Sequence, residues 1–61
     1  MMNFIKLTLT EGRGFALIDR CAVCAVCEAN DVTEVYCIGS ATTCFMVEET
    51  VEEVIKMMSK N

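Results

Sequence analysis

The segment DRCAVCAVCE, residues 19 to 28, carries Cys21, Cys24 and Cys27 at a spacing of three, and Cys37 and Cys44 follow downstream. Thiolates in that number are the ligands of a structural zinc ion, which takes four in a closed tetrahedron, or of an iron–sulfur cluster. Cys21, Cys24, Cys27 and Cys37 form the candidate ligand set, with Cys44 as the other available fourth donor. The spacers argue against it. Both are Ala-Val, without the glycine or polar turn formers of a metal knuckle, in a stretch that otherwise reads as a strand. On a strand, positions three apart point to opposite faces, so Cys24 and Cys27 cannot share one ion. An iron–sulfur run needs a further cysteine where Asp31 stands and a proline after it, and the chain has no proline. Reduced cysteine also packs as a small hydrophobe, which is the favoured reading here. The expectation is a protein with no cofactor and no stoichiometric zinc or iron.

Other chemistry is sparse. The chain has no histidine, which excludes Ser-His and Cys-His pairs, and no glycine-rich loop resembles a phosphate cradle. Glu48, Glu49, Glu52 and Glu53 stand at a helix start, where the macrodipole favours negative charge without any ligand. Asp19 and Asp31 read as turn caps. No enzyme is expected. Net charge is −4, and Lys6, Arg13, Arg20, Lys56 and Lys60 are scattered, so there is no basic stripe to neutralise phosphates. Nucleic acid is not an expected partner. The opening MMNFIKLTLTEGR lacks the basic start and long apolar middle of a signal peptide, and no apolar run approaches a membrane span. These features predict a cytoplasmic protein with no membrane partner, where five cysteines, an odd number, remain thiols.

The elements that position these residues are short. Sixty-one residues make a single domain, 1–61, which buries only about 60% of its unfolded surface, so help from a partner subunit, metal or disulfide is expected. Ile5, Leu7 and Leu9 alternate with Lys6 and Thr8, predicting a strand over 3–9. TEGRG, 10 to 14, holds the glycines of a hairpin connection, and FALI predicts a strand over 15–18. Asp19 caps a single helical turn. Strands follow over 23–28, 32–38 and 43–47, separated by the turn formers AND and by GSA. The period then changes: Val47, Val51, Val54, Ile55 and Met58 share a helical face, and Thr50 with Glu53 forms a capping box. The helix is predicted over 51–59, making the fold class α+β.

FIKLT, LID, Val23 and Val26, TEVYCIG and VEETVEEVIKMM, in that order, resemble the flagellar FlbD family, and are similar to small uncharacterised proteins of bacterial and phage genomes. The resemblance covers nearly the whole chain. It is most specific at the end, where Val47, Glu48, Glu49, the cap Thr50 and Val51 to Val54 match a valine, an acidic residue, a Ser or Thr cap and VEEV. It implies a small curved antiparallel sheet of four to five strands packed on one C-terminal helix, without known catalytic residues or cofactor. The cysteines depart from the family pattern. In the implied register Cys21 lies in a turn, with Cys24 and Cys27 on a strand.

Surface remains as the source of function. With Phe45 and Val47 toward the helix, Cys44 and Met46 face outward; with Ile5 and Leu7 inward, Phe4 faces outward beside Lys6 and Thr8. Phe4, Cys44 and Met46 are therefore the interface candidates, since apolar surface on the second face of a sheet marks a contact site. The sequence points to a small non-enzymatic interaction or regulatory module that acts as a homo-oligomer or docks on a larger protein. The alternative is a protein that sequesters a ligand or metal, as a phage-borne one would, with its site at the oligomer interface or at the cysteines.

Overall fold

The alternation read from the sequence becomes five strands and one helix in the computed structural model, which describes residues 3–39 and 43–59. In chain order these are β1 (Phe4–Thr8), β2 (Phe15–Asp19), a 3₁₀ turn (Arg20–Ala22), β3 (Val23–Ala29), β4 (Val32–Cys37), β5 (Thr43–Val47) and α1 (Val51–Ser59). Every expected element is present, each within a residue or two of its predicted bounds.

Backbone chirality decides the turns. Between β1 and β2 the chain passes through left-handed conformations at Glu11, Gly12 and Gly14, with φ of 62°, 67° and 98°. The value at Gly14 lies beyond the left-handed region open to other residues, so glycine is needed there. The Gly14 carbonyl accepts from the Leu9 amide at 2.9 Å and closes the loop. Asn30 and Asp31 connect β3 to β4 with φ of 53° and 64°. Two positive φ values between the paired Ala29 and Val32 define a type I′ hairpin, whose twist matches that of its strands.

The strands divide into two antiparallel sheets, β1–β2 and β3–β4–β5, where the sequence reading expects one curved sheet. Their joint is short. Leu9 and Val47 form an isolated antiparallel bridge, flanked by Thr10 N donating to Met46 O at 3.1 Å and Glu48 N donating to Thr8 O at 2.8 Å. Pairing stops there because Thr10 already enters the hairpin loop and Glu48 leaves β5. A strand's period reports which side chains face inward, but it carries no information on which strand its backbone pairs with.

The 3₁₀ turn ties the other end. Asp19 accepts from the Cys21 amide at 2.9 Å, the expected cap, while Arg20 N donates to Asn3 O and Ile38 N to Ala22 O, both at 2.8 Å. Arg20 Nη1 also reaches the Met58 carbonyl at 3.4 Å, placing a cation at the negative end of α1. Between the sheets and the helix lies one core of Ile5, Leu7, Ile18, Val35, Cys37, Val47 and Val54.

The capping box forms as its spacing predicts. Glu53 N donates to Thr50 Oγ1 at 3.1 Å and Thr50 N to Glu53 Oε1 at 2.9 Å. Removing that hydroxyl in Thr50→Ala is expected to cost about 0.5–2 kcal/mol, read as a lower melting temperature. Glu49 has a use that the macrodipole argument did not anticipate: its carboxylate accepts from the Thr8 amide at 2.9 and 3.0 Å, tying the helix entrance to β1. One helix position needs correcting. Ile55 was expected on the buried face, yet it is 52% exposed, while Met57 and Met58 pack against the core. At about 100° per residue the face centred on Val54 takes in positions 51, 57 and 58 before 55. No helix of the described residues is long and apolar enough to cross a membrane.

Candidate functional site

Two outward faces carry the side chains that the core leaves over. On the three-stranded sheet, Val35 and Cys37 point inward, so Glu34 and Tyr36 point out from the central strand. Register sets their neighbours: Cys27 and Met46 flank Glu34, and Ala25 and Cys44 flank Tyr36. The Tyr36 hydroxyl donates to Glu34 Oε1 at 2.9 Å, and the Cys27 thiol lies 3.7 Å from the same oxygen.

This arrangement holds protons on. Its hydrogen bond to Glu34, with Cys44 and the charges of both groups added, pushes the Tyr36 phenol up from 10.0 to about 12. Loss of water, then the Glu34 charge, pushes the Cys27 thiol up as well. Burial does the same to Cys37, reinforced by Cys24 and Cys44. Thiols shifted upward hold little thiolate at neutral pH, the opposite of the shift that activates a nucleophilic cysteine.

Tyr36 makes this directly measurable, because it is the single tyrosine and there is no tryptophan. Near-ultraviolet absorbance should show phenolate forming with a midpoint near pH 12, and Glu34→Gln should bring that midpoint down toward 10. Because the folded pKa is the higher one, the stability linked to this proton is full below the unfolded value and is lost as pH rises between about 10 and 12. A wild-type midpoint already at 10 would show that the hydrogen bond does not persist in solution.

The other face belongs to β1–β2. Its outward residues are Phe4, Lys6 and Thr8, paired with Asp19, Leu17 and Phe15 in that order. Phe4, Phe15 and Leu17 are 48%, 56% and 55% exposed. Lys6 bends over the Phe15 ring, its Nζ 4.3 Å from the centroid, so even the central cation covers apolar surface. Where the two sheets open beside Leu17, a cleft of about 290 Å³ is lined by Ile18, Cys37, Ile38 and Phe45 among others.

The interface candidates thus all face outward, but not together. Cys44 and Met46 are successive outward positions of β5, whereas Phe4 belongs to the other sheet, beside Leu17. Phe15 and Leu17 were missed as surface residues. Their signal was present in FALID: Phe15 and Leu17 alternate with Ala16 and Ile18, so only one of the two pairs can face the core.

The structure separates the thiols of the alternative ligand set. Cys21 sits on the 3₁₀ turn, Cys24 at an irregularity of β3, Cys27 on the outer face and Cys37 on the inner face of the same sheet. Among the described residues, no group of three or more His, Cys, Asp or Glu side chains is placed to hold a metal ion. In comparisons with known proteins, the chain matches no family model, no curated protein and no solved structure.

Proposed function

We propose that this protein is a small interaction module that works as a homo-oligomer, with the two sheets acting as one curved wall hinged at the Leu9–Val47 bridge. One observation carries the reading: on the outside of β1–β2, Phe15 and Leu17 are successive outward residues of β2 and Phe4 lies diagonally across from Leu17, each about half exposed. Apolar surface gathered in this way marks a contact site rather than scattered exposure. The edge of β2 adds to it. Among the described residues β2 pairs with β1 alone, so its second edge offers backbone donors and acceptors to an added strand.

A second copy of the chain is the occupant of choice, because so short a chain gains core from its own kind without a further gene product. Kinship with the flagellar FlbD family, a regulatory role through a larger protein and a cytoplasmic setting that keeps the thiols reduced belong to the same proposal. Leu17→Glu tests it, since the side chain points away from the core and the fold should survive. The variant is expected to keep the wild-type circular dichroism and to lose self-association. Met46→Glu, on the outer face of β5, should weaken association if that face shares in the contact. An assembly unchanged by Leu17→Glu would remove β1–β2 as its contact surface.

A further inference from the structure

The inner face of the three-stranded sheet turns polar at its hairpin end. Val26 and Val35 are opposed on that face, and the next inward pair along the ladder is Glu28 with Thr33, which has Val47 on its other side. Thr33 is buried, only 7% exposed. Among the described residues its hydroxyl has no hydrogen-bond partner, although Thr33 lines a cleft. Buried polar groups are hydrogen-bonded as a rule, so the partner of this one must come from the cleft.

The cleft has a volume of about 350 Å³ and lies between the β3–β4 hairpin and the entrance to α1. Carboxylates reach it from both sides: Glu28 and Asp31 belong to the hairpin, and Glu48 to the link between β5 and α1. The lining also includes the apolar Val32, Val47 and Val51. Glu49 and Glu53, close by in the chain, are engaged by the Thr8 and Thr50 amides, whereas among the described residues no hydrogen bond occupies Glu28, Asp31 or Glu48. No lysine or arginine among the described residues lines the cleft either, so its negative charge is left for a ligand to neutralise. The carboxylates do not converge as a metal ion's ligands would.

We propose that this cleft binds an aliphatic diamine in its dicationic form. One ammonium donates to the Glu28 carboxylate and to the Thr33 hydroxyl, which are directly opposed residues of one face and so lie about 4.5–5.5 Å apart at Cβ. The other ammonium donates to Glu48 on the far side, and the methylene stem covers the valines. Exposed carboxylates alone hold a cation weakly. The buried hydroxyl and the apolar floor supply the fixed geometry that they lack. A single amine leaves one side of the cleft unpaired, and a metal ion has no stem to lay on the valines. The site involves neither the cysteines nor the outward face of β1–β2, so it is independent of the oligomer proposal.

The test is a nuclear magnetic resonance titration of the isotope-labelled full chain with putrescine at about 0.15 M salt, where diffuse attraction to a net charge of −4 is screened. Amide shifts should saturate at one putrescine per chain and gather around Glu28, Thr33 and Glu48. Butylamine should bind about tenfold more weakly, for want of the second charged hydrogen bond. Glu28→Gln and Thr33→Val should each weaken putrescine by about tenfold as well, whereas Glu11→Gln, in the β1–β2 loop, should leave its binding unchanged. Thr33→Val gives up no hydrogen bond within the protein and should melt no lower than wild type, so its loss of binding is not a loss of fold. Shifts that never saturate, equal binding of putrescine and butylamine, or equal effects of Glu11→Gln and Glu28→Gln would each overturn the assignment.

Discussion

Val54→Asp is expected to leave the protein unfolded at room temperature. Val54 is the one residue of α1 with no exposed surface, and it shares the core with Leu7, Val35 and Val47, each 0–2% exposed. A carboxylate at that point loses its water and gains no partner, since the surrounding side chains are apolar. The effective penalty for such a charge is several kcal/mol, against a total stability of about 5 kcal/mol at the lower end for natural domains. Ile55→Asp is the control. It lies on the same helix one residue on, is 52% exposed, and should change stability by about 0.5 kcal/mol or less. Far-ultraviolet circular dichroism separates the two variants, and a folded Val54→Asp protein would mean that the helix is not docked on the sheets.

Leu7→Ala should produce the next largest loss. Leu7 is 0% exposed on the inner face of β1, and removing three carbons there forfeits their burial and leaves a cavity that the flanking strands cannot close. Leu→Ala changes of this kind cost about 2–5 kcal/mol. In a domain of this size each kcal/mol moves the melting temperature by about 4–8 °C, so a fall of at least about 8 °C is expected. Lys6→Ala, on the adjacent outward position, loses only the contact over Phe15 and should melt close to wild type. Equal losses at positions 6 and 7 would contradict the facing assigned to β1.

The contrast between Leu7 and Lys6 also marks what could be read in the chain before its structure. Period alone located β1, placed Ile5 and Leu7 inward and Phe4 outward, and Thr50 with Glu53 located the start of α1. Those are local facts, set by the pleat of a strand and by hydrogen bonds three residues apart. What escaped is non-local or depends on exact phase. The division into two sheets rests on backbone pairing at Leu9 and Val47, which side-chain pattern does not encode. Ile55 was misplaced because a nine-residue helix is short enough for two apolar faces to look alike.

The cysteine run shows the same limit. Strict alternation would part Cys24 from Cys27, but a bulge between Val23 and Ala25 that leaves no mark in CAVCAVC shifts the phase, and Cys24 and Cys27 are both exposed. Phe15 and Leu17 could have been found from alternation, had FALID been divided into its two faces.

The proposed self-association of the chain carries the account, and sedimentation equilibrium over micromolar concentrations under reducing conditions tests it most directly. The expected result is a mass of at least twice 6.8 kDa, falling toward 6.8 kDa in Leu17→Glu. A wild-type chain that sediments at 6.8 kDa throughout that range would contradict it.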